Sequence, residues 1–266
     1  MPQTHRLTPG TPVQLAQIST KGRDYCDDRA AAETEFRDLR EQFIRMQAKL
    51  YAEGKQKLLI VLQAMDAGGK DGTIRKVCEG VNPQGVRVTS FKKPSVEELN
   101  HDFLWRVHNA APANGMIGIF NRSHYEDVLV VRVHHIVPEA VWRPRYELIN
   151  GFEQHLTSTG TTILKIFLHI SRDEQKERLQ DRLDRPDKHW KFDIDDLNKR
   201  ALWDDYQQAF EDMLNHCTTE SVPWYVIPAD QKWYRNLAVM RIITSALHGM
   251  NPHYPKSDDL SRIVID

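Results

Sequence analysis

The chain has 266 residues, 40% apolar and 27% charged, with a formal net charge of −1. This is ordinary soluble composition, long enough for one large α/β domain or two small ones, and the near-neutral charge supplies no overall field for nucleic acid. Cys26, Cys78 and Cys217 are far apart, offer neither a disulfide framework nor metal-site spacing, and point to a reducing compartment. The opening stretch, MPQTHRLTPGTPVQL, lacks the charged-then-apolar form of a signal peptide. No apolar run approaches the roughly 18 to 20 residues that span a bilayer, so a cytoplasmic protein without membrane contact is expected.

Residues 1–22 hold three prolines and several Thr and Gly residues, and read as an extended arm. From Arg23 to Glu53 the chain is highly charged, with Phe36, Leu39, Phe43, Ile44, Met46 and Leu50 at helical spacing. Gly54 ends this helix or helix pair. Lys57 to Leu62 is an apolar run of strand length, followed by the Gly-rich segment Gln63 to Gly72 and a helical pattern resuming at Thr73. Strand, Gly-rich turn and helix make the context in which a phosphate loop has meaning, because backbone N–H groups and the helix N-terminus converge on one place. Lys70 adds a full charge there. The pattern G-x-x-x-x-G-K-[ST] is met at Gly69-Lys70 and missed at Ala64 and Asp71. The alternative is an ordinary βα turn whose glycines serve close packing.

Val86 to Phe91 reads as a second strand, leading to Lys92-Lys93-Pro94, with Ser95 as N-cap of a helix carrying Glu97, Glu98, His101, Asp102, Phe103, Trp105 and Arg106. Met116 to Phe120 is a third strand, running into Asn121-Arg122-Ser123-His124-Tyr125-Glu126-Asp127. Another apolar stretch, Val128 to Val133, precedes His134-His135 and a loop through Arg145. A helix from about Tyr146 to Ser158 and a strand from Thr162 to Ile170 follow. Ser171 and Glu174 form a capping-box pattern for a basic helix, Arg172 to Leu183. Residues 195–216 read as one amphipathic helix, Pro223 to Ile227 as a fifth strand, Trp233 to His248 as a last helix, and the tail from Asn251 as loosely ordered. Five strands alternating with helices imply a parallel sheet covered on both faces, with ligands at the strand carboxyl ends. The organisation is then one domain over 23–250 between the arm and a tail at 251–266, with a lid at about 171–192.

Asp66, Lys70, Asn121, Arg122 and Asp127 would meet on one rim as a phosphoryl-transfer set, in which positioning and charge neutralisation carry the chemistry. With no Ser or Thr after Lys70, the carboxylates of Asp66 and Asp127 are the natural metal ligands. Asp127 could equally cap or pair on a surface loop. The basic helix is either a solvated amphipathic helix or a lid closing Arg178 and Arg182 over phosphates. Lys92-Lys93 and Arg75-Lys76 either extend the positive surface along a channel or face solvent. His134-His135 has no third ligand at metal spacing, and the tryptophans are expected in packing.

The segments Gln63 to Gly72, Phe91-Lys92-Lys93-Pro94, His101 to Arg106, Phe120 to Asp127 and Trp203-Asp204-Asp205-Tyr206 together resemble the family-2 polyphosphate kinases, over about residues 30–250. The resemblance implies an α/β P-loop kinase fold: a three-layer α/β/α arrangement with a five-stranded parallel sheet and a helical lid, resembling thymidylate kinase. It implies phosphoryl transfer between inorganic polyphosphate and AMP, ADP or ATP, dependent on Mg²⁺ with Mn²⁺ as substitute, in a homo-oligomer (dimer or tetramer). Carried over by position, Asp66, Lys70, Arg122, Asp127 and Arg178 would be catalytic. Ala67, Gly68, Gly69, Asp71, Gly72, Thr73, Arg75, Lys76, Lys92, Lys93, Asn121, His124 and Arg182 would bind substrate or phosphate. Many ADP-preferring members carry Asp-Arg-Ser-Trp-Tyr where this chain has Asn121-Arg122-Ser123-His124-Tyr125, a form that resembles the subgroup accepting both AMP and ADP. The competing expectations are an ATP-dependent nucleotide kinase on the same fold and a non-catalytic polyphosphate- or nucleotide-binding module.

Overall fold

An unbroken run of leucine and β-branched residues has no side to offer water, and Lys57–Ala64 (β1) is buried from Leu58 onward at the centre of a sheet. The computed structural model describes residues 4–256. Its other strands are Val86–Ser90 (β2), Ile117–Asn121 (β3), Thr161–His169 (β4) and Trp224–Pro228 (β5), all parallel, in the order β2-β3-β1-β4-β5. After β1 the chain winds to one side through β2 and β3, then crosses to the other through β4 and β5. Strand order therefore reverses beside β1, and its carboxyl end opens into the crevice where such sheets bind ligands.

The helices, in chain order, are Arg29–Glu53 (α1), Lys70–Val77 (α2), Val96–Leu99 (α3), Trp105–Ala110 (α4), Val130–Val133 (α5), Glu139–Trp142 (α6), Arg145–Ser158 (α7), Arg172–Asp184 (α8), Asp195–Ala201 (α9), Trp203–His216 (α10) and Lys232–Met250 (α11). One layer is α11 packed on α1 and α2; the other is α7 and α10 with α5. The three-layer α/β fold expected from the strand–helix alternation is the one observed. Among the described residues no helix is long and apolar enough to cross a membrane.

Local chemistry accounts for the differences from the expected boundaries. The first helix begins at Arg29 because the Asp28 carboxylate accepts the Ala31 N–H at 2.9 Å. The helix expected after Ser95 is two short pieces, since Asn100 ends the first and Asp102 accepts the Leu104 N–H to begin again. The expected 195–216 helix breaks at Leu202, where burial of Trp203 and Tyr206 turns α10 toward the core while Asp196 stays paired to Arg182 on α8. At Ser171 only half of the capping box forms, because the Glu174 carboxylate is taken by Arg178 at 2.7 Å. The apolar stretch after Asp127 contains the single-turn helix α5.

The N-terminal arm is extended in part, but it is pinned. Leu7 donates to the Trp224 carbonyl and Val226 to that of His5, so residues 5–7 cover the free edge of β5 in antiparallel pairing. Val13 and Leu15 are buried beyond it. Residues 251–256 have no regular structure; the remainder of the expected tail lies outside the described residues.

One polar cluster sits wholly inside the core. Lys165 on β4 donates to Glu153 on α7 at 2.6 Å and to the Tyr125 hydroxyl at 3.0 Å, and Glu153 also accepts from Tyr125 and meets His124 at 3.2 Å. Burial would push the Glu153 carboxyl up, but Lys165 and His124 outweigh it and hold it below the usual range. The cluster ties the segment after β3 to α7 and β4. Glu153→Ala should therefore cost about 3–5 kcal/mol by leaving Lys165 buried and unpaired, as read from urea unfolding. Glu153→Leu with Lys165→Met should recover most of it; a single-variant loss below about 1 kcal/mol would show that the pair is not isolated from water.

Candidate active site

The turn after β1 is shaped by conformations few residues tolerate. Ala67 and Gly69 both have positive φ, at 59° and 103°. A Cβ on Gly69 would lie 2.0 Å from the guanidinium of Arg235, and one on Gly68 would lie 2.7 Å from the Met65 carbonyl. The turn therefore lies tight against what is beneath it, and α2 starts at Lys70 with its N-terminus facing the crevice. Lys70 is buried and folds back to donate to the Ala64 and Met65 carbonyls, at 2.8 and 3.3 Å. Thr73 caps inward on the Gly69 carbonyl at 3.0 Å.

Around this turn lies a cleft of about 650 Å³. Its walls are the turn (Asp66 to Gly72), Ser90 to Lys93, Asn121-Arg122, and Arg178, Asp181, Arg182, Lys188, Trp190, Lys191, Asp193, Asp196 and Lys199 from α8 through α9, with Lys232. Ten lysines and arginines face five aspartates there, an excess that suits polyanions.

Asp66 is the centre of this charge. Arg122 donates to one of its oxygens at 2.5 Å and Lys199 lies 3.2 Å from the other. Burial opposes ionisation, but Arg122, Lys70 and Lys199 together hold the carboxyl down to about 2. For Lys70, burial and Arg122 outweigh the help of Asp66, Glu126 and Asp71, and its ammonium is lowered to about 8. Arg122 sits at φ 61°, a left-handed backbone that arginine rarely adopts, fixed by its N–H bond to the Leu62 carbonyl at 3.1 Å. Its guanidinium also reaches Glu126 at 3.5 Å. Asn121 donates to Asp71 at 2.6 Å across the mouth of the turn.

The structure brings together Asp66, Lys70, Asp71, Arg122, Asn121, Lys92, Lys93 and Arg182 on the cleft, as their sequence positions implied. Arg178 lines the cleft too, but as a clamp: its donors go to the Ala67 carbonyl at 3.0 Å, to the Ala229 and Asp230 carbonyls, and to Glu174. Five expected residues are placed elsewhere, Thr73 among them with its hydroxyl on the Gly69 carbonyl. Asp127 does not line the cleft, and its carboxylate is met by Arg145 at 3.2 Å and Arg106 at 3.8 Å, so it does not face a metal shared with Asp66. His124 is buried on Glu153, behind the sheet end. Arg75 and Lys76 lie in the last turn of α2, off the cleft lining, and Lys76 pairs with Glu79 at 3.2 Å.

Among the described residues no three acidic, histidine or cysteine side chains converge as a metal cage. The donor set nonetheless fits a hard divalent cation, which is commonly held by one or two carboxylates with substrate phosphates and water completing the shell. Asp66, fully ionised at any physiological pH, is the carboxylate suited to it, with Asp71 on the same wall.

Sequence reasoning missed Lys199, Glu126 and Arg235. Lys199 is four residues from Asp195, an ordinary helical ion-pair spacing, and only the fold turns it to Asp66. Arg235 is buried beneath the turn, with burial and Arg178 lowering its pKa; nothing in its neighbourhood in the sequence announces this.

The family model for polyphosphate kinase 2 matches residues 26–255. The AMP/ADP-polyphosphate phosphotransferase of Meiothermus ruber is 57% identical, over 84% of this chain and 84% of its own. The ADP-polyphosphate phosphotransferase of Rhodopseudomonas palustris is 42% identical, over 97% and 93%. The crystal structure of polyphosphate kinase 2 from Arthrobacter aurescens superposes with a TM-score of 0.91 at 44% identity, covering 96% of this chain and 91% of that one.

The charge state of Lys70 can be read in solution. Its ammonium is largely discharged above pH about 8 in the free protein, and a bound polyanion restores it. On tripolyphosphate binding Lys70 should therefore take up roughly three-quarters of a proton at pH 8.5 and roughly a tenth at pH 7, over and above the ligand's own proton exchange, with its contribution to affinity falling as pH rises through 8. Calorimetry in buffers of different ionisation enthalpy measures this; equal uptake at both pH values would place the Lys70 pKa outside that window.

Proposed function

The chain belongs to the polyphosphate kinase 2 family, and from that we propose that it transfers phosphoryl groups reversibly between inorganic polyphosphate and adenine nucleotides, AMP to ADP and ADP to ATP. The observation that carries this reading is the cleft itself: a phosphate-loop helix N-terminus inside a surround of ten basic side chains. That is more positive charge than one nucleotide requires, and it suits two polyanions held end to end.

In this reading Lys92 and Lys93 hold the polyphosphate chain, with Arg75 and Lys76 continuing the basic surface outside the cleft. A terminal phosphate oxygen of the nucleotide attacks the end phosphorus of the chain. The new P–O bond forms as the bond to the bridging oxygen breaks, and the electron pair stays on the shortened polyphosphate. Ala67 and the residues Gly69 to Gly72 offer backbone N–H groups to the transferring phosphoryl group, while those of Gly68 and Thr73 are taken by the Met65 and Gly69 carbonyls, and Lys70 leaves the Ala64 and Met65 carbonyls to neutralise it. Arg122 and the lid residue Arg182 add charge as it spreads over the equatorial oxygens, while Arg178 keeps the turn in place. A carboxyl held at about 2 makes a poor proton acceptor, so Asp66 acts as a fixed negative charge and metal ligand. Asp66, with Asp71 on the same wall, would hold a divalent cation, Mg²⁺ in this proposal with Mn²⁺ as substitute, which would supply neutralisation of phosphate charge. Asp127 holds Arg106, which in turn donates to the Lys92 carbonyl at 2.9 Å, and so positions the basic segment; His124 supports the Arg122 segment from behind.

The same proposal takes 23–250 as one catalytic domain, 171–192 as its lid, and a homo-oligomer as the working form. Incubation of AMP, and separately ADP, with long-chain polyphosphate and Mg²⁺, without added ATP, should yield ATP from both, and chelation should stop it. Product from ADP alone would overturn the AMP assignment; product only with ATP as donor would overturn the polyphosphate assignment. Asp66→Asn should lower kcat on the order of 10²-fold or more in a protein that still folds, with a lower Tm because Arg122, Lys70 and Lys199 lose their shared counter-charge, and a near-normal rate would remove Asp66 from the mechanism.

A further inference from the structure

Trp190 is the one exposed tryptophan among the described residues, 78% exposed, whereas Trp142, Trp203 and Trp224 are buried. It stands at the tip of the lid, in the 3₁₀ turn Pro186–Lys191 that follows α8, and its ring lines the cationic cleft. The turn is held firmly. Its indole N–H donates to the Asp187 carbonyl at 3.1 Å, His189 pairs with the Leu183 carbonyl at 2.8 Å, and Lys188 pairs with Asp181 on α8. The polar edge of the indole is thus satisfied within the lid, and the ring surface is what it presents outward. The Lys191 ammonium lies 4.8 Å from the ring centre.

Only two aromatic side chains line the cleft. The other, Phe91, is buried against Phe120 and Arg106 and has no free face. A nucleotide whose phosphates are drawn in by Lys70, Lys188 and Lys199 carries one planar apolar group, and Trp190, with Lys191 over one face of its ring, is the one exposed aromatic side chain there to receive it. We propose that Trp190 is the stacking platform for the nucleobase of the acceptor nucleotide, a subsite that rests on the nucleotide-using function proposed above. With its N–H consumed by Asp187, the platform reads the π-face of a base and none of its hydrogen-bonding edge. Base identity is then weakly discriminated, purines being favoured over pyrimidines by ring area.

Binding of AMP and of ribose 5-phosphate to the full chain, measured by calorimetry without polyphosphate, tests this. The two ligands share sugar and phosphate and differ only in the base. The native protein should bind AMP more tightly. Trp190→Ala should weaken AMP about tenfold, toward the ribose 5-phosphate value, and leave ribose 5-phosphate and tripolyphosphate unchanged, in line with base–aromatic stacking. Trp190→Phe should keep part of the margin. No preference for AMP in the native protein, or equal losses for AMP and ribose 5-phosphate in Trp190→Ala, would overturn the proposal. So would an unchanged AMP affinity accompanied by a change in assembly mass, which would make the exposed ring a contact between copies of the chain. Because no phosphoryl transfer is read, a native protein that binds AMP through its base yet makes no ATP from polyphosphate would refute the proposed function and leave this subsite standing.

Discussion

One carboxylate allows this site to exist. Three cations, Arg122, Lys70 and Lys199, surround Asp66, two of them within 3.2 Å of its oxygens. Like charges 4 Å apart near a protein surface repel by about 4 kcal/mol at an effective dielectric of 20. Without a counter-charge in their midst they would splay apart or discharge. Lys70 is already part of the way there, lowered to about 8 by burial and by Arg122. The arrangement is poised for anions: each phosphate that enters relieves a repulsion the folded chain has been holding. The same cations keep Asp66 ionised.

The turn that presents these groups is held from below and behind. Arg178 reaches from α8 to the Ala67 carbonyl and to the end of β5, and Gln175 donates to the Asp66 carbonyl at 3.0 Å. Asp230, just past β5, accepts the Ser171 N–H at the start of α8 at 2.8 Å and the Thr20 hydroxyl at 2.7 Å. The turn after β1, the start of α8 and the N-terminal arm therefore share one set of hydrogen bonds around the carboxyl end of β5. The arm also closes the sheet edge, which would otherwise offer unpaired backbone to other chains. Packing around Gly69 explains why the turn follows this path: a side chain there would collide with Arg235.

Where hydrophobic period and turn chemistry are local, the sequence was legible. The five strands stand within two residues of their expected bounds, and the strand, Gly-rich turn and helix at 57–77 stand as expected. The helices were less so. At Leu202 and between Asn100 and Asp102 the apolar spacing continues while the backbone turns, because burial of Trp203 and the side-chain acceptor of Asp102 override periodicity. Asp127 shows the same limit for chemistry. As an acidic residue beside Arg122 it looked like a metal ligand, and only the fold reveals Arg106 and Arg145 around it.

The chain alone thus determined the strand–turn–helix after which the cleft opens, the parallel α/β architecture, and the family to which its motifs belong. These depend on residues close in sequence, whose backbone preferences and side-chain periods act over a few positions. Tertiary structure decided which charges meet: Lys199 against Asp66, Arg178 under Ala67, Glu153 with Lys165, and Trp190 facing the cleft. Those partners lie between 12 and 133 positions apart, and an electrostatic or packing contact at that separation is set by how helices lie across the sheet, which no local pattern encodes.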